Sequence, residues 1–527
     1  MRHPLPVAVA SLSILYGGAL RGQSIDVGSS ARLGSITFPT SGVALAQDDF
    51  IRGVLWLHSF EYERAASAFR SAQSKDQGFA LAYWGEAMTY THAIWNQQDV
   101  PSGRASLARL GPNPAARAAK APTPRERDWL AAVEILYGDG PKARRDTLYE
   151  RAMERLAGRY PDDVEAQAFY ALAVMGLSQG LRNVPSYMRA GAIAQAIFEK
   201  HPDHPGAAHY VIHAFDDPAH APHGLRAAQA YSKIAPSAGH AQHMTTHIFL
   251  ALGMWPEVVK QNEVAQEASI GSADRSRWFA GHYTSWLGYA LLQEGRFDDA
   301  RAHLVLVQQN QGRSTRPDRT SALALMRAAW LTETERWSDS AAGWPLVSGS
   351  VPAYEVAFES FVQAVGALRA GRRTDAQRDL DALRGSIERA RAAAQPVDPH
   401  VDVIAAQLGA ILLDDAGRTD SAVALLRKTA AAEDTLPVDF GPPVVVKPTH
   451  ELLGELLLRR GKAAEAQREF TRALEQGPMR LRALAGLARA ADAAGDSSSA
   501  EQARSALRAS LAKADPGLLD RLQRSPQ

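Results

Sequence analysis

Residues 52–73 read RGVLWLHSFEYERAASAFRSAQ, in which Ala65, Phe69 and Ala72 lie 12, 16 and 19 residues beyond Gly53. The same spacing returns at Gly454, Ala466, Phe470 and Ala473, with Pro478 closing the unit. Gly288, Ala300, Leu304 and Val307 form a third copy, and Ala488, Ala500 and Leu507 a fourth. A small residue on one helix lets a second helix approach, and the aromatic or leucine sixteen positions on fills the interface between them. One such pair cannot bury its apolar face alone, so the spacing predicts a stack of helix pairs.

The rest of the 527-residue chain agrees with helices throughout: it is rich in Ala, Leu and Arg, 46% apolar, and poor in runs of Val, Ile or Thr. Fifty-eight basic and 57 acidic residues leave a net charge of +1, which provides no broad electrostatic footprint for nucleic acid or an anionic membrane. The absence of cysteine excludes disulfides, thiolate metal ligands, cysteine nucleophiles and a lipoprotein anchor. Residues 1–24, MRHPLPVAVASLSILYGGALRGQS, combine an early arginine, an apolar stretch and small residues at Ala19 and Gly22. This pattern predicts a signal peptide over 1–22, cleavage near residues 20–23, and a periplasmic or secreted protein. The stretch is shorter than the roughly twenty residues a stable membrane anchor needs.

The expected organisation is a lead segment over 23–45, with one short extended strand in SITFPTSG, then helix pairs over 46–345 interrupted by a proline-rich inserted loop at 99–124. Thr123 and Pro124 should start the helix after that loop. Degenerate pairs follow over 346–429, an irregular crossing segment over 430–448, further repeats over 449–512 and a tail over 513–527.

The Gly–Ala–Phe–Ala spacing resembles the tetratricopeptide repeat family. The resemblance implies an all-α, right-handed superhelical solenoid of antiparallel helix pairs, eight to ten of them here. It also implies that positions 2, 5, 9 and 13 of each first helix line a concave groove that contacts protein, peptide or small-molecule ligands. The strings LHSFEYERAASAF, FALAYWGEAM, HPGAAHYVIHAFD, APSAGHAQHMTTHIF and KPTHELLGELLL further resemble a group of exported bacterial repeat proteins. That likeness spans most of the chain and names no reaction.

Nine of the sixteen histidines fall between His201 and His247. His209 and His213 are four residues apart, as are His243 and His247, so each pair shares one helix face. The two pairs are separated by 34 residues, the repeat length, and therefore occupy equivalent places on neighbouring units. In the repeat register His240, His243 and His247 take positions 2, 5 and 9, and His282 takes position 2 of the next unit. Imidazole pairs at this spacing hold Zn, Fe, Cu or Ni, so a transition metal is the expected cofactor, with His209, His213, His243, His247, His240 and His282 as ligands. One ion, or two close together, would sit among His209, His213, His243 and His247. Glu86, Asp216 and Asp217 are candidates for further ligands or for orienting the rings. His58, Glu86, Tyr90, His450, Glu451 and Glu455 fall on the remaining groove positions. His201, His204, His220 and His223 lie near turns and read as caps or surface residues, while Trp56, Trp84, Trp95, Trp255, Trp278 and Trp286 read as packing.

His450 opens HELLG, which lacks the second histidine of a zinc-protease motif, and no phosphate loop or nucleophile elbow is present. The sequence therefore predicts an exported binding protein with a histidine-rich, metal-holding groove. The alternatives are a metal-dependent oxidative or hydrolytic enzyme, and a metal-free scaffold for protein partners.

Overall fold

The computed structural model describes residues 31–179, 182–270, 282–310, 318–344, 353–395, 397–438 and 440–523. Residues 1–24 and Trp278 lie outside them. Helices come in successive pairs: Ala44–His58 with Tyr62–Lys75, Ala80–Met88 with Val100–Leu110, Pro124–Leu136 with Lys142–Arg159, and Val164–Gly176 with Val184–Lys200. Pro205–Ala214 pairs with Ala221–Ile234, Gly239–Ala251 with Trp255–Ile270, and His282–Gln293 with Phe297–Asn310. After Asp318–Thr334 come Ala353–Arg369 with Arg373–Ala392, Pro399–Asp415 with Thr419–Glu433, Thr449–Arg459 with Ala463–Gln476, and Leu481–Ala494 with Ser497–Ser510. The fold is an all-α solenoid of tetratricopeptide-type helix pairs. Its strands, among the described residues, are a two-residue hairpin of Thr91–His92 and Gln97–Gln98.

The pairs exceed the eight to ten expected because residues 99–124 are largely helical. The prolines there start helices instead of breaking them. Asp99 accepts from the Ser102 amide with Pro101 in the first turn, and Asn113 accepts from the Ala116 amide ahead of Val100–Leu110 and Pro114–Ala118 respectively. At Pro124–Leu136, Thr123 and Glu126 form a reciprocal capping box.

The sixteen-residue offset has a direct packing cause. Phe69 is fully buried, and a Cβ placed on Gly53 of its own first helix, or on Gly85 of the next, would run into its ring. Phe470 stands in the same relation to Gly454 and Gly486. Each aromatic thus fills the space left by two glycines, one per neighbouring unit, and locks the units together.

Among the described residues of the lead segment, the stretch SITFPTSG forms no strand. The segment's backbone instead spans several repeats: the Ser35 amide donates to Asp203 O at 3.0 Å, and Arg32 O accepts from the Ser237 amide at 3.2 Å. Phe38 packs edge-on to Phe50 and Trp84, with ring centres 5.3 and 5.6 Å apart. The far end also folds back on the middle. Buried Arg480 donates to Glu333 at 2.7 Å, Glu451 at 3.0 Å and the Tyr289 hydroxyl, while the Trp255 indole donates to Met479 O at 2.9 Å. Residues 434–438 and 440–448 carry no helix and bring Phe440 and Gly441 against the histidine-bearing helices.

Candidate metal centre

The helix Pro205–Ala214 begins with Pro205 in its first turn and His204 as its cap, whose Nδ1 accepts from the Ala207 amide. This places His209 and His213 one turn apart on the inner face, both buried. The helix Gly239–Ala251 carries His240, His243 and His247, also buried, and His282 is exposed at the start of the next first helix.

The candidate ligands group as two triads, in which His240 and His282 each complete one of the two expected four-residue pairs. His209, His213 and His240 each offer a nitrogen within 4.8 Å of the other two, and His243, His247 and His282 do the same. The physical reason is stagger: the first residues of one inner helix lie beside the middle of the preceding one. The residue at position 2 therefore completes the i,i+4 pair of its neighbour. His240 stands 5.2 Å from His209 between ring centres, and His282 stands 4.7 Å from His243. The Nε2 atoms of His243 and His282 are 3.1 Å apart, close to the roughly 3.3 Å that two nitrogens take around a tetrahedral zinc.

Three of the rings are aimed from behind. His209 Nδ1–H donates to His58 O at 2.6 Å, His243 Nδ1–H to Asn262 Oδ1 at 2.8 Å, and His247 Nδ1–H to Asp216. Each bond leaves Nε2 as the bare acceptor facing the cluster, the tautomer a metal requires. The Nε2 atoms of His209 and His247, and both ring nitrogens of His213, are buried without a hydrogen-bond partner among the described residues. Burial drives the His209 pKa down to about 3 and those of His213 and His243 well below the usual imidazole value, so all three are neutral at pH 7.

Aromatic rings wall the cluster. Tyr283 stacks on His243 with centres 4.2 Å apart, Trp286 tilts over His247 at 4.2 Å, and Phe440 approaches His213 and His247 at 6.5 Å. Phe60 sits against the first triad, 4.3 Å from His209, and its φ of 54° is unusual for so bulky a residue. Trp95, expected in the core, is 40% exposed at the turn of the small hairpin, 6.1 Å from His240.

A third cluster was invisible in the sequence. His58 Nε2–H and His204 Nε2–H donate to the two oxygens of buried Glu165 at 2.7 and 3.1 Å, and His58 Nδ1 accepts from the Tyr210 hydroxyl at 2.9 Å. Burial alone would raise the Glu165 pKa, but the two imidazoles outweigh it and hold the carboxyl at about 2. Every ring nitrogen here already has a protein partner, so these side chains brace the first repeat against the middle ones. His204 is accordingly a cap, as expected, but buried. His220 is part-exposed beside Asp217, which also pairs with Arg182.

The other groove candidates are engaged elsewhere. Glu86 accepts from Arg70, Gln73, Arg109 and Tyr90. His450 lies between Asp434 and Glu469; Glu451 pairs with Arg480 and Lys447; Glu455 pairs with Lys447. A cavity of about 370 Å³ opens between the crossing segment and the central helices and touches Asp216; of its charged lining residues, Asp217, Asp434, Glu475 and Arg480 are in ion pairs, and Glu433 accepts from the Thr449 amide.

No family model matches the chain, and no curated protein matches it. Among solved structures, the human IFIT1 dimer with m7Gppp-AAAA aligns at 12% identity over 90% of this chain and 91% of its own, with a TM-score of 0.36. The P58(IPK) TPR domain aligns at 12% identity over 86% and 99%, and yeast Tom70 at 12% over 91% and 94%, each with a TM-score of 0.25. At these scores neither the ligand nor the assembly of those proteins transfers to this chain.

Proposed function

We propose that this chain is a metal-binding solenoid protein whose two tri-imidazole sets hold transition-metal ions in the wall of its groove, beside the surface that takes its ligand. The observation that carries this reading is the pair of triads, in which the buried Nε2 atoms of His209 and His247 and both ring nitrogens of His213 have no hydrogen-bond partner among the described residues. Leaving such nitrogens buried and unpaired costs about 1–3 kcal/mol each, an expense that a bound ion removes. The all-nitrogen donor set favours Zn, Fe, Cu or Ni over harder ions. We place the protein outside the cytoplasm on its N-terminal stretch; N-terminal sequencing from the native host should find cleavage near residues 20–23.

The test is elemental analysis of untagged protein, followed by titration of metal-free protein with Zn(II), Fe(II), Cu(II) and Ni(II) while the melting temperature is recorded. Stoichiometric metal is expected, with about 2.7 kcal/mol of stabilisation when free ion stands at a hundred times its Kd. His213→Ala should lower both metal content and the melting shift. Absence of metal, with no melting response to any of the four metals, would transfer the function to a metal-free scaffold.

A further inference from the structure

Resting on that metal reading, we propose that the two triads act as one dinuclear copper centre that binds dioxygen between its ions.

Three observations converge on it. First, the triads adjoin: His213 and His247 are 5.9 Å apart between ring centres and His240 and His243 are 6.3 Å apart, against 4.7–5.2 Å for the neighbouring rings His209–His213, His209–His240, His243–His247 and His243–His282. Ions held by rings this close would stand near enough to share a bridging ligand. Second, each set offers three imidazoles and neither includes a carboxylate. Asp216 touches His247 from behind and is spent on orienting it. Three nitrogens suit three-coordinate copper(I) and leave a position open on each ion, whereas a two-histidine, one-carboxylate set would point to iron.

Third, the pocket is poor in balancing charge. Five of the six histidines are buried; Asp216 beside His247 and Glu61 beside the His240 backbone are the two carboxylates at hand, and Asp217 already pairs with Arg182. Two divalent ions would bury twice the charge of two copper(I) ions in a low-dielectric wall. Dioxygen binding keeps that total constant: each copper(I) gives one electron and becomes copper(II), and the dioxygen becomes a two-electron-reduced unit with its O–O bond intact. No proton moves and no bond breaks. Exposed His282 in one triad and half-exposed Trp95 beside the other give a small gas molecule access to each.

The experiment loads full-length, metal-free protein with copper(I) under anaerobic conditions, then admits oxygen while uptake, near-ultraviolet absorption and electron paramagnetic resonance are measured. Two coppers per chain are expected, with one dioxygen taken up per pair. A new charge-transfer band should appear, and the copper(II) resonance should fall far below one spin per copper until acid releases the ions. His247→Ala should bind one copper, take up no dioxygen and show its full spin on chemical oxidation. The exposed position variant His282→Ala gives the same readout where His247→Ala folds poorly. Two coppers with two full spins, or no uptake, would overturn the dinuclear proposal while leaving metal binding intact. Failure to bind copper, zinc, iron or nickel at all would remove the parent reading itself.

Discussion

Phe60 holds its ring against His209, His213 and His240 from a left-handed backbone, a conformation that costs a non-glycine residue about 1–2 kcal/mol. The strain stays because the turn at Ser59–Glu61 is pinned: Glu61 accepts from the His240 amide at 3.1 Å and Ser59 from the Tyr231 hydroxyl at 3.3 Å. Removing the ring should cost about 3–5 kcal/mol. Glycine relieves the strain that alanine retains, so Phe60→Gly is expected to be about 1 kcal/mol more stable than Phe60→Ala in denaturant titrations of metal-free protein. Equal stabilities would mean the turn carries no strain worth releasing.

Between helices, glycines separate into two kinds. Gly486 faces the Phe470 ring, whereas Gly366, within Ala353–Arg369, has no atom within 4 Å of where a Cβ would stand. Gly366→Ala should therefore stabilise by about 0.5–1 kcal/mol through helix propensity, and Gly486→Ala should destabilise by about 1–3 kcal/mol through overpacking. Thermal unfolding of the two variants checks the opposite signs. The crossing segment is tied down by His450, whose Nδ1 lies 2.6 Å from Glu469 and whose Nε2 lies 3.0 Å from Asp434. Burial lowers its pKa, but the two carboxylates outweigh burial and the net shift is upward. The stability from this group is thus complete below the unfolded value of about 6.5 and fades as pH rises through the higher folded value. The melting-temperature gap between the native chain and His450→Phe should be wider near about pH 5.5 than near about pH 9.

Across the whole molecule, one arginine joins the far repeats to the middle. Arg480→Met would leave Glu333 buried without its partner and weaken the hold on Glu451, at about 3–5 kcal/mol. Hydrogen exchange should rise together in 282–293 and 481–494; a rise confined to the C-terminal helices would show that the junction is not energetic. Long-range closure of this kind also marks the limit of what the chain reveals linearly. The paired histidines were readable because four residues make one helical turn, and the repeat units because Gly53 and Phe69 meet within one hairpin. Phe60, Glu165, Asn262 and Phe440 were not, since each reaches its partner through the path of the superhelix or of an irregular turn. The six histidines were individually legible, but their division into triads was not, because the stagger between neighbouring units is a property of packing. That division has a thermodynamic outcome. Gly239–Ala251 supplies His240 to one triad and His243 with His247 to the other, so it is a wall common to both chambers. Whatever order the first ion imposes on that wall, the second need not impose again, and occupancy should climb more steeply with free metal than two separate vessels would allow.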